Sequence, residues 1–178
     1  QVNSAAAELL YTTAVQLAKP SDVSGLWGER CWDLYCGVGG LSLSFAPHFH
    51  QIFGMEAVAP AVALAESNAR RMNDSLPREK QTVFHFETGD AAELNRYFRR
   101  RGTPELLVTD PPRSGMDSRT VQAILQHRPP RLVLVSCNPA TLARDLALLN
   151  AGYNINAVQP VDLFPQTPHV ETVCVLSK

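Results

Sequence analysis

Residues 31–40 read Cys31-Trp32-Asp33-Leu34-Tyr35-Cys36-Gly37-Val38-Gly39-Gly40. An apolar run, an acid, then glycines in close succession is the pattern of a β-strand that ends in a tight turn and enters a helix. Gly37 and Gly39 allow a turn closed to most other residues and let a ligand approach the main chain at the helix start. The dinucleotide pattern G-x-G-x-x-G needs Gly or Ala at position 42, and Ser42 stands there instead, which weakens a nicotinamide reading.

Working outward, the same alternation repeats. Apolar runs at Cys31–Tyr35, Ile52–Met55, Thr82–Phe86, Leu106–Thr109, Leu132–Val135, Ile155–Val161 and Thr172–Leu176 read as strands. Helix-length segments near 40–47, 59–73, 91–101, 117–127 and 139–150 separate the first six. Ahead of them, Ala6, Leu9, Leu10, Thr13 and Leu17 have the spacing of an amphipathic helix over 3–18. Strand and helix in turn predict a parallel sheet with crossover helices on both faces. The last two runs have no helix between them, so they are expected to pair antiparallel at one edge. The fold class is therefore α/β: a Rossmann-like, seven-stranded, mostly parallel sheet with an antiparallel C-terminal edge pair, forming one domain over 1–178.

Composition agrees. A chain of 178 residues that is 45% hydrophobic and 19% charged, with net charge −1, is a globular domain rather than a disordered one. The small-apolar run Ala57–Ala65 is broken by Pro60 and too short to cross a membrane. Near-neutral charge removes the signature of a strongly basic nucleic-acid-binding domain. Cys31, Cys36, Cys137 and Cys174 form no C-x-x-C pair, and the histidines are scattered, so neither a zinc site nor a disulfide framework is expected. Free thiols in a reducing cytoplasm follow. The chain opens on Gln1 without a signal segment, as expected of a piece of a longer protein.

In an open parallel sheet, ligands bind beyond the carboxyl ends of the strands. The first strand delivers Asp33 and the glycine turn. The second ends at Glu56, whose two oxygens suit the two hydroxyls of a ribose. The third ends at Gly89-Asp90; Asp90 suits an adenine amino group, or simply caps the next helix. The fourth ends Asp110-Pro111-Pro112-Arg113-Ser114-Gly115, where Pro111 keeps Asp110 extended at the strand tip and the two prolines make a stiff shelf for a flat base. The fifth ends Ser136-Cys137-Asn138-Pro139. Asn138 suits an N-cap and Pro139 the first helical turn, so Cys137 lies where the positive end of a helix dipole favours a thiolate. Asp162–Glu171 joins the last two strands and alone would read as a hairpin loop.

The acid followed by glycines resembles the first motif of S-adenosylmethionine-dependent methyltransferases. Asp110-Pro-Pro-Arg-Ser-Gly, Ser136-Cys137-Asn138-Pro139-Ala-Thr-Leu and Phe164-Pro-x-Thr-x-His169-x-Glu171 together resemble the RNA uracil-C5 methyltransferase family, with Gln1-Val-Asn3 matching the family's entry into its catalytic domain. The resemblance implies that Cys137 attacks C6 of a uridine in transfer or ribosomal RNA. C5 is thereby activated towards the methyl group of S-adenosylmethionine, and Glu171 removes the C5 proton. It implies cofactor contacts at Gln1, Tyr35, Gly37, Gly39, Gly40, Glu56, Asp90 and Asp110, and places Pro111, Pro112, Arg113 and His169 towards the substrate. No metal is expected. Many relatives carry Asn where this chain has Gly40.

Family members usually have an N-terminal RNA-binding barrel, which this sequence lacks, so RNA grip is expected mainly from modules outside it. Arg96, Arg99, Arg100 and Arg101, and Arg70, Arg71, Arg78 and Lys80, are expected more as solvated faces than as phosphate contacts. A monomer is expected. Rival readings are an RNA cytosine-C5 methyltransferase, disfavoured because no cysteine follows Asp110-Pro111, and an inactive RNA-binding scaffold, disfavoured by Cys137 and Glu171.

Overall fold

A computed structural model describes residues 4–163 and 170–178. The strands are β1 (Gly28–Leu34), β2 (Phe49–Glu56), β3 (Val83–Thr88), β4 (Leu106–Thr109), β5 (Arg131–Ser136), β6 (Asn154–Val161) and β7 (Glu171–Ser177). The helices are α1 (Ser4–Ala18), α2 (Gly40–Phe45), α3 (Ala59–Asp74), α4 (Leu94–Arg101), α5 (Ser118–His127) and α6 (Pro139–Leu149). They form one seven-stranded sheet in the order β3-β2-β1-β4-β5-β7-β6. Pairing is parallel from β3 to β5, whereas β7 runs antiparallel to both β5 and β6. The expected C-terminal antiparallel pair is present, with β7 inside the sheet and β6 at its edge.

Each element has a local cause. Gly39, at φ 90°, is the N-cap of α2. Pro60 lies in the first turn of α3. Asp117 caps α5 by accepting from the Arg119 amide at 2.8 Å, and Asn138 caps α6 by accepting from the Ala140 amide at 3.0 Å. The helix expected over 91–101 starts as a 3-10 turn, Ala91–Glu93, before α4; the one expected over 40–47 gives way to a 3-10 turn at Ala46–His48.

Strand alternation divides the interior into two layers. On one face, Trp32, Leu34, Phe53, Met55, Leu107, Leu132 and Leu134 pack against Phe98 of α4, Ile124 of α5 and Leu142 of α6. On the other, Cys31, Ile52, Val108, Val133, Val135, Val173 and Val175 pack against Leu10 and Ala14 of α1 and Leu41 and Phe45 of α2. Helix α1 corrects the sequence reading. Its buried stripe is Ala7, Leu10, Ala14 and Ala18, while Leu9 is 55% exposed and Thr13 and Leu17 are only partly covered. Small residues at the contact let the helix lie close to the sheet, and that close approach outweighs the larger side chains on the neighbouring stripe.

Order reverses between β1 and β4: the chain leaves β1 for β2 on one side, and β4 joins on the other. The crevice at their carboxyl ends is the topological switch point, where a ligand site is expected.

Because Leu10 is fully buried under α1, Leu10→Ala is expected to cost about 2–5 kcal/mol, read as a fall of roughly 5–20 °C in Tm for a chain of this size. Leu9→Ala, on the exposed side, is expected to stay within about 0.5 kcal/mol of the parent. Equal melting of the two variants would contradict the packing of α1.

Candidate active site

Strand periodicity decides which side chains meet. Asp33, Asp110 and Glu171 come from three different strand ends and all face the α1–α2 layer: Asp33 bonds to Ser42 of α2, Asp110 follows Val108 in register, and Glu171 pairs with the inward-facing Val161. Asp33 is 1% exposed and Glu171 8% exposed. The Ser42 hydroxyl donates to Asp33 Oδ2 at 2.6 Å, while Asp33 Oδ1 has no hydrogen-bond partner among the described residues.

Burial of these acids shifts their titration. The carboxyl of Asp33 is pushed up to about 7, first by burial and then by the nearby charges of Asp110 and Glu56, with the Ser42 hydrogen bond pulling the other way. Asp110 is also pushed up to about 7, by burial and by Glu171. Glu171 is raised by burial and held back by the Arg113 guanidinium. The phenol of Tyr11, on α1, is raised by burial and then by Asp110, Asp33 and Glu171, which places it beside the same cluster.

The glycine turn closes against this cluster. Gly37 has φ +52°, and Tyr35, with a side chain, adopts φ +61°, a conformation uncommon outside glycine. The Glu56 carboxylate braces the turn, with Oε2 accepting from the Gly37 amide at 3.1 Å and Oε1 from the Val58 amide at 2.9 Å. A Cβ on Gly40 would lie 2.5 Å from the Tyr11 hydroxyl, so the phenol occupies the space a side chain at 40 would need. Asp90 caps its 3-10 turn through Oδ1, which accepts from the Ala92 amide at 2.8 Å, realising the simpler of its two readings.

Cys137 and Glu171 meet through β5 and β7. Ser136, the last residue of β5, pairs with Thr172 of β7, so Cys137 and Glu171 are the residues that adjoin this last pair at the same end of the sheet. Cys137 is half-buried; Cys31, Cys36 and Cys174 are buried, and all four thiols are free. Pro111 is buried, whereas Pro112 and Arg113 are exposed beside α6. Gln1 and His169 lie outside the described residues. Among the described residues, no group of His, Cys, Asp and Glu suits a metal ion, and no helix is long and apolar enough to cross a membrane.

Two contributors escaped the sequence reading. Ser42 entered it only as a failed glycine, and Tyr11 had no local signal, because its role depends on α1 being laid over the glycine turn; the bare Cα of Gly40 was the available clue. Of the α4 arginines, Arg96 and Arg99 are exposed, and Arg100 and Arg101 are engaged by neighbouring side chains. Arg100 and Arg101 both pair with Glu87, and their guanidinium groups lie over Tyr97 and Phe53, at 5.0 and 4.5 Å from the ring centres.

A family profile described as tRNA (Uracil-5-)-methyltransferase matches residues 16–178. An uncharacterized RNA methyltransferase of Nitratidesulfovibrio vulgaris is 45% identical over 183 residues, covering 99% of this chain and 36% of the relative. One from Geobacter sulfurreducens is 44% identical over 182 residues, covering 100% of this chain and 34% of the relative. The chain thus spans about a third of the length of these curated relatives. The crystal structure of Pyrococcus abyssi tRNA (uracil-54, C5)-methyltransferase in complex with S-adenosyl-L-homocysteine superimposes with TM-score 0.75 at 28% identity, covering 96% of this chain and 38% of that one. N-methyltransferase NodS from Bradyrhizobium japonicum superimposes at 0.74 with 13% identity, over 98% of this chain and 97% of that one, and shares the fold alone. With its profile match running through the Asp110, Cys137 and Glu171 strand ends, the chain belongs to the tRNA (uracil-5-)-methyltransferase family.

Proposed function

We propose that this chain is the catalytic domain of an S-adenosylmethionine-dependent RNA (uracil-C5-)-methyltransferase, acting on a uridine of transfer or ribosomal RNA through a covalent cysteine adduct. The observation that supports the reading is the β5–β7 register: Ser136 pairs with Thr172, so the neighbouring Cys137 and Glu171 belong to the sheet edge that also gathers Asp33 and Asp110.

The residues fit the cofactor. S-adenosylmethionine carries a sulfonium and an ammonium group, and buried carboxyls at Asp33 and Asp110, one with an unpartnered oxygen, favour a cationic ligand. Tyr35, Gly37, Gly39, Gly40, Glu56, Asp90 and Asp110 would hold it, joined, by the family resemblance, by Gln1. When bound, it supplies an electrophilic methyl group for C5.

The chain's own residues do the remaining chemistry. The Cys137 sulfur adds to C6 of a uracil drawn out of its stack, making C5 nucleophilic. After methylation, the Glu171 carboxylate accepts the C5 proton. The C6–sulfur bond then breaks, and its electrons return to Cys137. Glu171 must be ionised to accept that proton, and Arg113 opposes the effect of burial upon it. The Pro111–Pro112 shelf, Arg113 and His169 are assigned to the uridine side.

Three results are expected. RNA transcripts containing 5-fluorouridine cannot lose a C5 proton, so they trap the parent protein as an adduct stable to denaturing gels. Cys137→Ala forms none, and an adduct or methylation by that variant would refute the nucleophile. Glu171→Gln accumulates a methylated covalent complex on ordinary RNA; normal turnover would remove it from the base role.

Binding should also respond to pH. Asp33 and Asp110 are protonated in the free site below about 7, so a cationic cofactor displaces protons and its affinity rises with pH, by up to about tenfold per unit for each proton released. Without cofactor the sign for stability is opposite. The folded chain keeps protons that unfolded carboxyls lose near ~3.9, so stability falls as pH climbs towards 7. Calorimetry of S-adenosylmethionine binding in buffers of different ionisation enthalpy checks this. A pH-independent affinity without proton release would contradict the acid cluster as the cation site.

A further inference from the structure

We propose that Asp145 is a positioning residue of this site: from α6 its carboxylate locks the Asp110–Asp117 loop onto the helix that starts next to Cys137, and so holds the main chain of Arg113 at the start of that helix. This rests on the proposed function and adds a residue that touches neither cofactor nor base.

The interactions are specific. Asp145 is 2% exposed, deep for an ionisable side chain in a helix. Its Oδ2 accepts from the Met116 amide at 2.9 Å, and its Oδ1 accepts from Arg144 Nε at 3.0 Å and Nη2 at 2.7 Å. Arg144 Nη2 also donates to the Met116 carbonyl at 3.3 Å, so acid and base together grip both polar groups of one loop residue. Beside it, Gly115 adopts φ +78°, and a Cβ there would lie 2.7 Å from Asp145 Oδ2. The loop can approach the carboxylate only because that residue is glycine.

The hold continues towards the chemistry. The Arg113 carbonyl accepts from Asn138 Nδ2 at 3.1 Å and from Thr141 Oγ1 at 3.2 Å, both at the start of α6. The Gly115 amide donates to the Pro112 carbonyl at 2.8 Å, closing the turn between the two anchors. Pro112, Arg113 and Cys137 are therefore parts of one braced body. A buried charge with three hydrogen bonds is costly to disturb and rigid while intact. The loop so held carries Arg113, whose charge opposes the effect of burial on Glu171.

The test is single-turnover transfer of labelled methyl from S-adenosylmethionine to total transfer and ribosomal RNA from cells lacking this protein, measured from pH 5.5 to 8.5. Asp145→Asn keeps the shape and one acceptor but loses the charge. It is expected to slow transfer about ten- to hundredfold and to move the acidic limb of the rate profile to higher pH, as Arg113→Gln does. The double variant should be no slower than Arg113→Gln alone, because Asp145 acts through Arg113. Independent, multiplying effects, or an unmoved acidic limb in Asp145→Asn, overturn the proposal. Should Asp145→Asn fail to fold by circular dichroism, Thr141→Val carries the test: it removes the second anchor near the protein surface and must shift the limb in the same direction, and an unchanged profile overturns the proposal. The measurement uses the full-length protein that contains this chain; if that parent transfers no methyl group to RNA, the function proposed above falls and this role falls with it, whereas a working parent with an unaffected Asp145→Asn removes only the role of Asp145.

Discussion

The carboxylate of Asp33 is withdrawn from water at the carboxyl end of a central strand, and the architecture of that edge is organised around it. One oxygen is held by Ser42, which requires α2 to begin immediately after the glycine turn. The other has no partner among the described residues. A buried, half-satisfied carboxyl is unfavourable as an anion, and the protein adds two more acids to the same neighbourhood, Asp110 and Glu171. Such a cluster is tolerable when protons or a cation share it. A site that prefers positive charge follows from burial and geometry, before any particular ligand is considered.

The second organising element is the sheet as a ruler. Period-two alternation sends Asp33, Asp110 and Glu171 to one face although they lie far apart along the chain, while Trp32, Leu34, Leu107 and Leu134 fill the opposite layer. The reversed strand β7 brings Glu171 to the edge where the parallel strands end. If β7 were parallel to β5, its first residue would lie at the far end of the sheet. The antiparallel insertion is thus what lets the last strand of the chain take part in a site founded by the first.

Rigidity is distributed unevenly around that edge. The glycine turn is braced by Glu56 and covered by Tyr11, and the proline loop is bolted to α6 by Asp145, Arg144, Asn138 and Thr141. On α4, Arg100 and Arg101 are committed to Glu87 and to the rings of Tyr97 and Phe53. Two of the four basic residues there serve internal structure, while Arg96 and Arg99 lie on the exposed face.

Much of this was written locally. Apolar runs, glycine and proline punctuation and cap residues determined every strand and helix, because turn chemistry and side-chain periodicity act over a few residues; Asn138 before Pro139 marks the start of α6 without reference to anything distant. The residues at the strand ends were legible for the same reason. What the tertiary structure decided is which of them share a site. The stripe of α1 that is buried, the phenol of Tyr11 over Gly40, Ser42 beneath Asp33 and the hold of Asp145 on Met116 all depend on contacts between segments remote in sequence, where packing distance and strand register, rather than local preference, choose the partner. The sequence by itself determined the elements and the chemistry each could offer, and only the antiparallel register of β7 against β5, with Ser136 paired to Thr172, brought the segments that carry Cys137 and Glu171 to one end of the sheet.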